Sequence, residues 1–238
     1  TNLTNGMAGA GLLGNTTWDA GYSGPTSAST LSAPRGLAID EALERLFVAD
    51  EMNNRVLVFD VATVDAGEAA VMVIGQSDFT SSMANAGLGT SETGMASPRS
   101  VAFQPSTSFL FVADAMNSRV LVFDMAFAYP GMPASFVLGQ TSFQGSMNST
   151  GASRMSSPSA LAIDDLRRRL FVSDQGNNRV LMFDTARIET GAPAVNLIGQ
   201  SSWGGWSSGR GAQGLSAPAG LALGGGGATL FVGDQTMY

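Results

Sequence analysis

The chain has 238 residues, of which 44% are hydrophobic and only 13% charged, with a formal net charge of −7. That length supports a sizeable core, the acidic balance argues against nucleic acid as a partner because such binding needs a basic face, and no apolar run reaches the ~18 residues of a membrane span. Cysteine and histidine are both absent, which excludes disulfides, thiolate metal sites and nucleophiles activated by histidine.

In chain order the first segment, 7–14 ("MAGAGLLG"), is short and apolar and reads as one strand. From Pro34 a longer pattern begins. It contains four apolar runs, Gly36–Asp40, Arg45–Asp50, Arg55–Asp60 and Ala70–Gly75, each bounded by turn residues and too short for an ordinary helix. The pattern then recurs. "RLFVADEMNNRVLVFD" returns as "FLFVADAMNSRVLVFD" and "RLFVSDQGNNRVLMFD", and "TLFVGDQTMY" opens a further copy. The initiating prolines are Pro34, Pro98, Pro158 and Pro218, spaced by 64, 60 and 60 residues. A period this long signals stacked supersecondary units, and four strands per unit is one blade of a β-propeller. The expected organisation is therefore all-β and a single domain. It has blades at 31–76, 95–140 and 155–200, a partial blade at 215–234, and residues 7–14 as the fourth strand of a closing blade. This is one strand short of four whole blades, the missing piece being the copy of "NNRVLVFD". Truncation, a slice of a larger propeller and strand donation by a neighbouring molecule all account for that deficit.

These residues resemble the NHL repeat: a proline, a hydrophobic strand ending in Asp, then "LFVAD", two spacer residues and "NNRVLVF". The resemblance runs from Met7 to Asp234, and the "GQ" segments that follow are similar to those of bacterial NHL proteins with long inter-blade loops. It implies a propeller that binds proteins, glycans or nucleic acids, with a minority of lyase relatives. Those relatives use histidine, which this chain lacks, so their chemistry does not carry over. The fourth copy departs from the pattern, with "GGGGA" for its hairpin and Met237 where the turn Asn belongs.

The candidate residues fall into two groups. Repeated ones read as architecture: Asp50, Asn53 and Arg55; Asp114, Asn117 and Arg119; Asp174, Asn177 and Arg179. Asp and Asn favour tight turns by bonding nearby backbone, and arginine can bridge to the turn carboxylate. The Gly75-Gln76, Gly139-Gln140 and Gly199-Gln200 steps, and the aromatics Trp18, Phe79, Phe143 and Trp203 that follow such steps, read as loop ties and inter-blade plugs. Blade-specific residues are the binding candidates. Trp203, Trp206 and Arg210 lie on a glycine-rich loop, with Trp18 and Tyr22 in the equivalent N-terminal loop, where exposed aromatics would hold a protein or glycan. The loop around Glu92 and the apolar Met125–Phe136 linker, carrying Phe127, Tyr129 and Met132, are further surfaces.

Asp40 and Asp164 end first strands near the expected axis, with Gln104 and Gly224 at the matching positions, and are the weak candidates for a Ca²⁺ site. No cofactor is otherwise expected. The leading expectation is a non-catalytic extracellular binding or scaffold module. One alternative is a subunit that joins copies of itself head to tail, and another is a metal-dependent lyase or lactonase. The extracellular expectation rests on little Lys with abundant Ser, Thr, Gly and Asn. The sequons at Asn2, Asn15 and Asn148 add little to it, and the lack of an initial Met suggests a trimmed product.

Overall fold

Val, Leu, Phe and Ile fill the runs read as strands, and those from Pro34 onward form strands in the computed structural model, which describes residues 12–15, 25–209 and 213–235. The first blade is β1 (Pro34–Asp40), β2 (Arg45–Asp50), β3 (Arg55–Asp60) and β4 (Met72–Ile74). The second is β5 (Pro98–Gln104), β6 (Phe109–Asp114), β7 (Arg119–Asp124) and β8 (Phe136–Leu138). The third is β9 (Pro158–Asp164), β10 (Arg169–Asp174), β11 (Arg179–Asp184) and β12 (Asn196–Ile198), and β13 (Pro218–Gly224) pairs with β14 (Thr229–Asp234) in the fourth. Each complete sheet is an antiparallel meander in simple order, and the last has two strands. The fold is an all-β propeller of such blades. Among the described residues no helix is long and apolar enough to cross a membrane.

The strands of the second and third blades read as nearly unbroken apolar runs because both faces are covered by neighbouring blades. One face of β2 and β3 carries Phe47 and Val58, and these pack on Val101, Phe103, Leu110 and Phe123 of the second blade. Phe47 stacks on Phe103 at 5.3 Å between ring centroids. The next interface repeats the pattern, with Phe111, Val120 and Leu138 against Leu161, Leu170 and Phe183. Burying such a side chain is worth about 1.5–3 kcal/mol, so these interfaces hold the blades in file.

The innermost strands lie side by side, β1 on β5, β5 on β9 and β9 on β13, and no comparable packing joins β13 back to β1. Each inner strand is bulged near its start, between Pro34 and Leu37, Pro98 and Ser100, Pro158 and Leu161, and Pro218 and Gly220. Such a bulge re-aims the chain at the axis.

The segment 7–14 is described only from Leu12 onward. Gly67 N–H donates to the Leu12 carbonyl, as Gly131 donates to Val73 and Gly191 to Val137. Leu12 thus stands where the fourth strand of a preceding blade belongs, and Gly14 has the positive φ of Gly75, Gly139 and Gly199. Among the described residues the contact is a single parallel bridge from Leu13 to Glu68.

Candidate functional site

The strand directions sort the loops into two faces. β1, β5, β9 and β13 start, and the β2–β3 type turns lie, at one end of the sheets. The long segments after β4, β8 and β12 lead to that same end. This loop face is built around the repeated Asp–Asn–Arg cluster. Arg119 Nε donates to Asp114 Oδ2 at 2.6 Å, and Asn117 Nδ2 donates to the same oxygen at 2.8 Å. Asp114 Oδ1 accepts the Ala96 amide at 2.7 Å. The rest of the guanidinium donates to the carbonyls of Phe143, Ser91 and Gly94. Arg55 and Arg179 repeat the set, on Phe79, Ser27 and Thr30, and on Trp203, Gly151 and Arg154. All three arginines and their aspartates are fully buried. Burial pushes the Asp114 and Asp174 carboxyls up, against the pull of Arg119 and Arg179. Each cluster fastens two long segments to a blade.

Gln76, Gln140 and Gln200 complete the fastening. Each donates from Nε2 to a turn carbonyl (Asn54, Ser118 or Asn178) and to a carbonyl seven residues on, Met83, Met147 or Ser207. Sequence reading missed a further tie. Asn54 and Asn178 occupy the left-handed turn position and accept the amides of Ser97 and Ala217, which enter the next blade, at 2.8 and 2.7 Å. The signal was the second Asn of "NNR", present in two of three copies.

The aromatic loop candidates separate. Trp203 is half-buried against the second blade interface, and Phe143 packs likewise on the first. Trp206 is 64% exposed, its carbonyl held by Asn178. Trp18, Tyr22 and Arg210 lie outside the described residues. In the linker of the second blade Phe127 and Tyr129 are exposed on the opposite face, whereas Met132 is buried in the first interface. Asp40 is engaged by Arg45 at 2.7 Å and by the amides of Ala42 and Leu43. Asp164 is engaged by Arg167 through both amide and guanidinium. Each closes its own hairpin, and among the described residues no group of three or more acidic side chains comes together as a metal would need. Gln104 is fully buried, and neither polar atom of its amide has a partner among the described residues.

On the loop face the exposed apolar side chains differ from blade to blade. Met52, Met83, Leu88, Met116, Met147 and Trp206 all stand exposed there. The bulged starts of the inner strands line an open pocket of about 460 Å³, with Arg35, Arg99, Ser100 and Ser159 among its residues. Glu51 bridges the two arginines: Arg35 Nε pairs with Oε2, and Arg99 Nε with Oε1 at 3.2 Å. Burial opposes its ionisation, but the Ser97 hydroxyl, Arg35 and Arg99 hold the Glu51 carboxyl below the usual carboxylate value. Arg35 and Arg99 both follow the initiating proline, but Ser159 and Ala219 stand at that position in the other copies, so repeat arithmetic passes over them.

No protein-family model matches the chain, and no curated protein is similar to it in sequence. Solved structures are similar in fold. One is a chain of the hydrazine synthase of Kuenenia stuttgartiensis, with a TM-score of 0.54 and 17% identity over 90% of this chain and 45% of that one. Another is a chain of a nidogen/laminin complex, with a TM-score of 0.55 and 17% identity over 86% of this chain and 56% of that one. The chain spans about half the length of these solved chains.

Proposed function

We propose that this chain is the working part of an extracellular NHL-type propeller that holds a protein partner on its loop face. The observation that carries this reading is the set of exposed Met, Leu and Trp side chains on that face, at which an arginine-lined pocket also opens. Methionine, tryptophan and arginine are enriched at protein interfaces, and flexible methionines let one surface fit a partner closely. The fold is shared with a chain from a complex between proteins, which supports a protein over a glycan. The test is recovery of bound proteins from the host's extracellular fraction. A partner retained by the wild type and by Phe127→Ser/Tyr129→Ser, but lost by Met52→Ser/Met116→Ser/Trp206→Ser, is expected. Equal retention by all three would sink the loop-face assignment.

A second reading, head-to-tail joining of copies, is favoured by the two end faces. Leu37 is 64% exposed where its counterpart Val101 is 4% exposed. Phe231 is 60% exposed where Phe111 is fully buried. Repetition makes the two faces complementary, since each matches one side of an interface inside the chain. Light scattering that finds only monomer at high concentration would exclude this reading.

A further inference from the structure

We infer that the loop-face mouth of the axial pocket is a receptor for a carboxylate of an acidic protein segment, an inference that rests on the proposed protein-binding role and names the partner's chemistry. β1 and β5 approach closely at Gly36, where a Cβ would stand 2.5 Å from Ser100 Cα. That approach brings Arg35 and Arg99 to the two sides of one carboxylate. Glu51 takes only the Nε edge of each guanidinium. Both Nη atoms of Arg35, and Nη2 of Arg99, make no hydrogen bond among the described residues, while Arg99 Nη1 donates to Gln175 at 3.2 Å. Two positive charges therefore face one negative charge, with unused donors over an open pocket.

Of the other loop-face guanidiniums of the described residues, Arg55, Arg119 and Arg179 are committed in their clusters, and Arg154, which donates to Gln140 at 3.0 Å, does not line the pocket. Free guanidinium edges match a planar carboxylate with two parallel hydrogen bonds. A polyphosphate chain fits less well. The protein carries −7 overall, and two guanidiniums give no basic track for a backbone. Glu51 shows what a bound carboxylate looks like at this place, and an acidic side chain entering from the partner would share its two arginines.

The probe is a fluorescein-labelled oligoglutamate peptide followed by anisotropy, with oligoglutamine, inorganic phosphate and a DNA duplex as comparisons. Binding that weakens with salt is expected. It should fall on the order of tenfold in Arg35→Gln and again in Arg99→Gln, and be unchanged in Arg187→Gln on the opposite face. Glu51→Gln removes the internal competitor and should tighten binding several-fold, a gain that no folding defect can imitate. Equal binding of oligoglutamine, equal weakening by Arg187→Gln, competition by phosphate at the same concentration, or tighter binding of DNA would each overturn the inference. Loss of oligoglutamate binding with partner capture intact would overturn it alone. Oligoglutamate binding without any captured partner would instead count against the protein-binding role.

Discussion

Arg119 Nε lies 2.6 Å from Asp114 Oδ2, and solvent reaches neither side chain. Such a pair is costly to desolvate, and breaking it leaves a buried charge. Arg119→Leu strands Asp114 and frees three loop carbonyls at once. A loss of about 3–5 kcal/mol in urea unfolding is expected. Arg119→Lys should recover little of it, because an ammonium cannot reach four acceptors in a fork.

Gly75 has φ +89°, and a Cβ there would meet Met95 Cε at 2.7 Å and Cγ at 2.8 Å. Gly75→Ala therefore combines backbone strain of about 1–3 kcal/mol with a clash. Met95→Ala relieves the clash but not the strain. Thermal melts of the single and double variants should show the double losing less than the sum, by about 0.5–3 kcal/mol.

Gln104 is buried with both amide atoms unpartnered among the described residues. Gln104→Met keeps the shape and removes two unsatisfied groups. Stability should rise by about 1–3 kcal/mol in denaturant titration, and an unchanged or lower midpoint would mean the amide is satisfied.

Phe111 and Phe231 hold the same place in their repeats, one buried and the other 60% exposed. Phe111→Ala should cost about 3–5 kcal/mol. Phe231→Ala should cost less than about 1 kcal/mol unless copies join through it. Melting the two variants at low and high protein concentration separates these cases.

Glu51 is held below the ordinary carboxylate value, so its contribution to the loop face has a definite sign. The contribution is present above the unfolded value and is lost as pH falls through the lower, folded one. Carboxyl NMR titration should find Glu51 depressed in the wild type and shifted back toward the ordinary value in Arg35→Gln/Arg99→Gln.

The blades were legible in the sequence because each strand obeys one local rule, an apolar run between turn residues, and the repeat states that rule three times. The Asp–Asn–Arg clusters were legible for the same reason: all three partners lie within six residues of chain. What stayed hidden depends on packing between copies. Arg35, Glu51 and Arg99 meet only because β1 and β5 close on Gly36. Trp203 and Trp206 sit three residues apart, yet one is a repeated plug and the other stands in solvent. Met132 shares a linker with exposed Phe127 and Tyr129 but turns into the first interface. Sequence proximity could not divide these pairs, because the division is made by the neighbouring blade.

The buried arginines hold the long segments by main-chain oxygen alone. Arg55 grips Ser27, Thr30 and Phe79, and Arg179 grips Gly151, Arg154 and Trp203, and each of these hydrogen bonds ends on a carbonyl. Anchoring of this kind is indifferent to vocabulary. A segment can be rewritten from methionine and leucine to tryptophan and glycine while its three carbonyl anchors are kept. The framework thus behaves as a mount with interchangeable fittings, able to acquire new surface chemistry without renegotiating the fold.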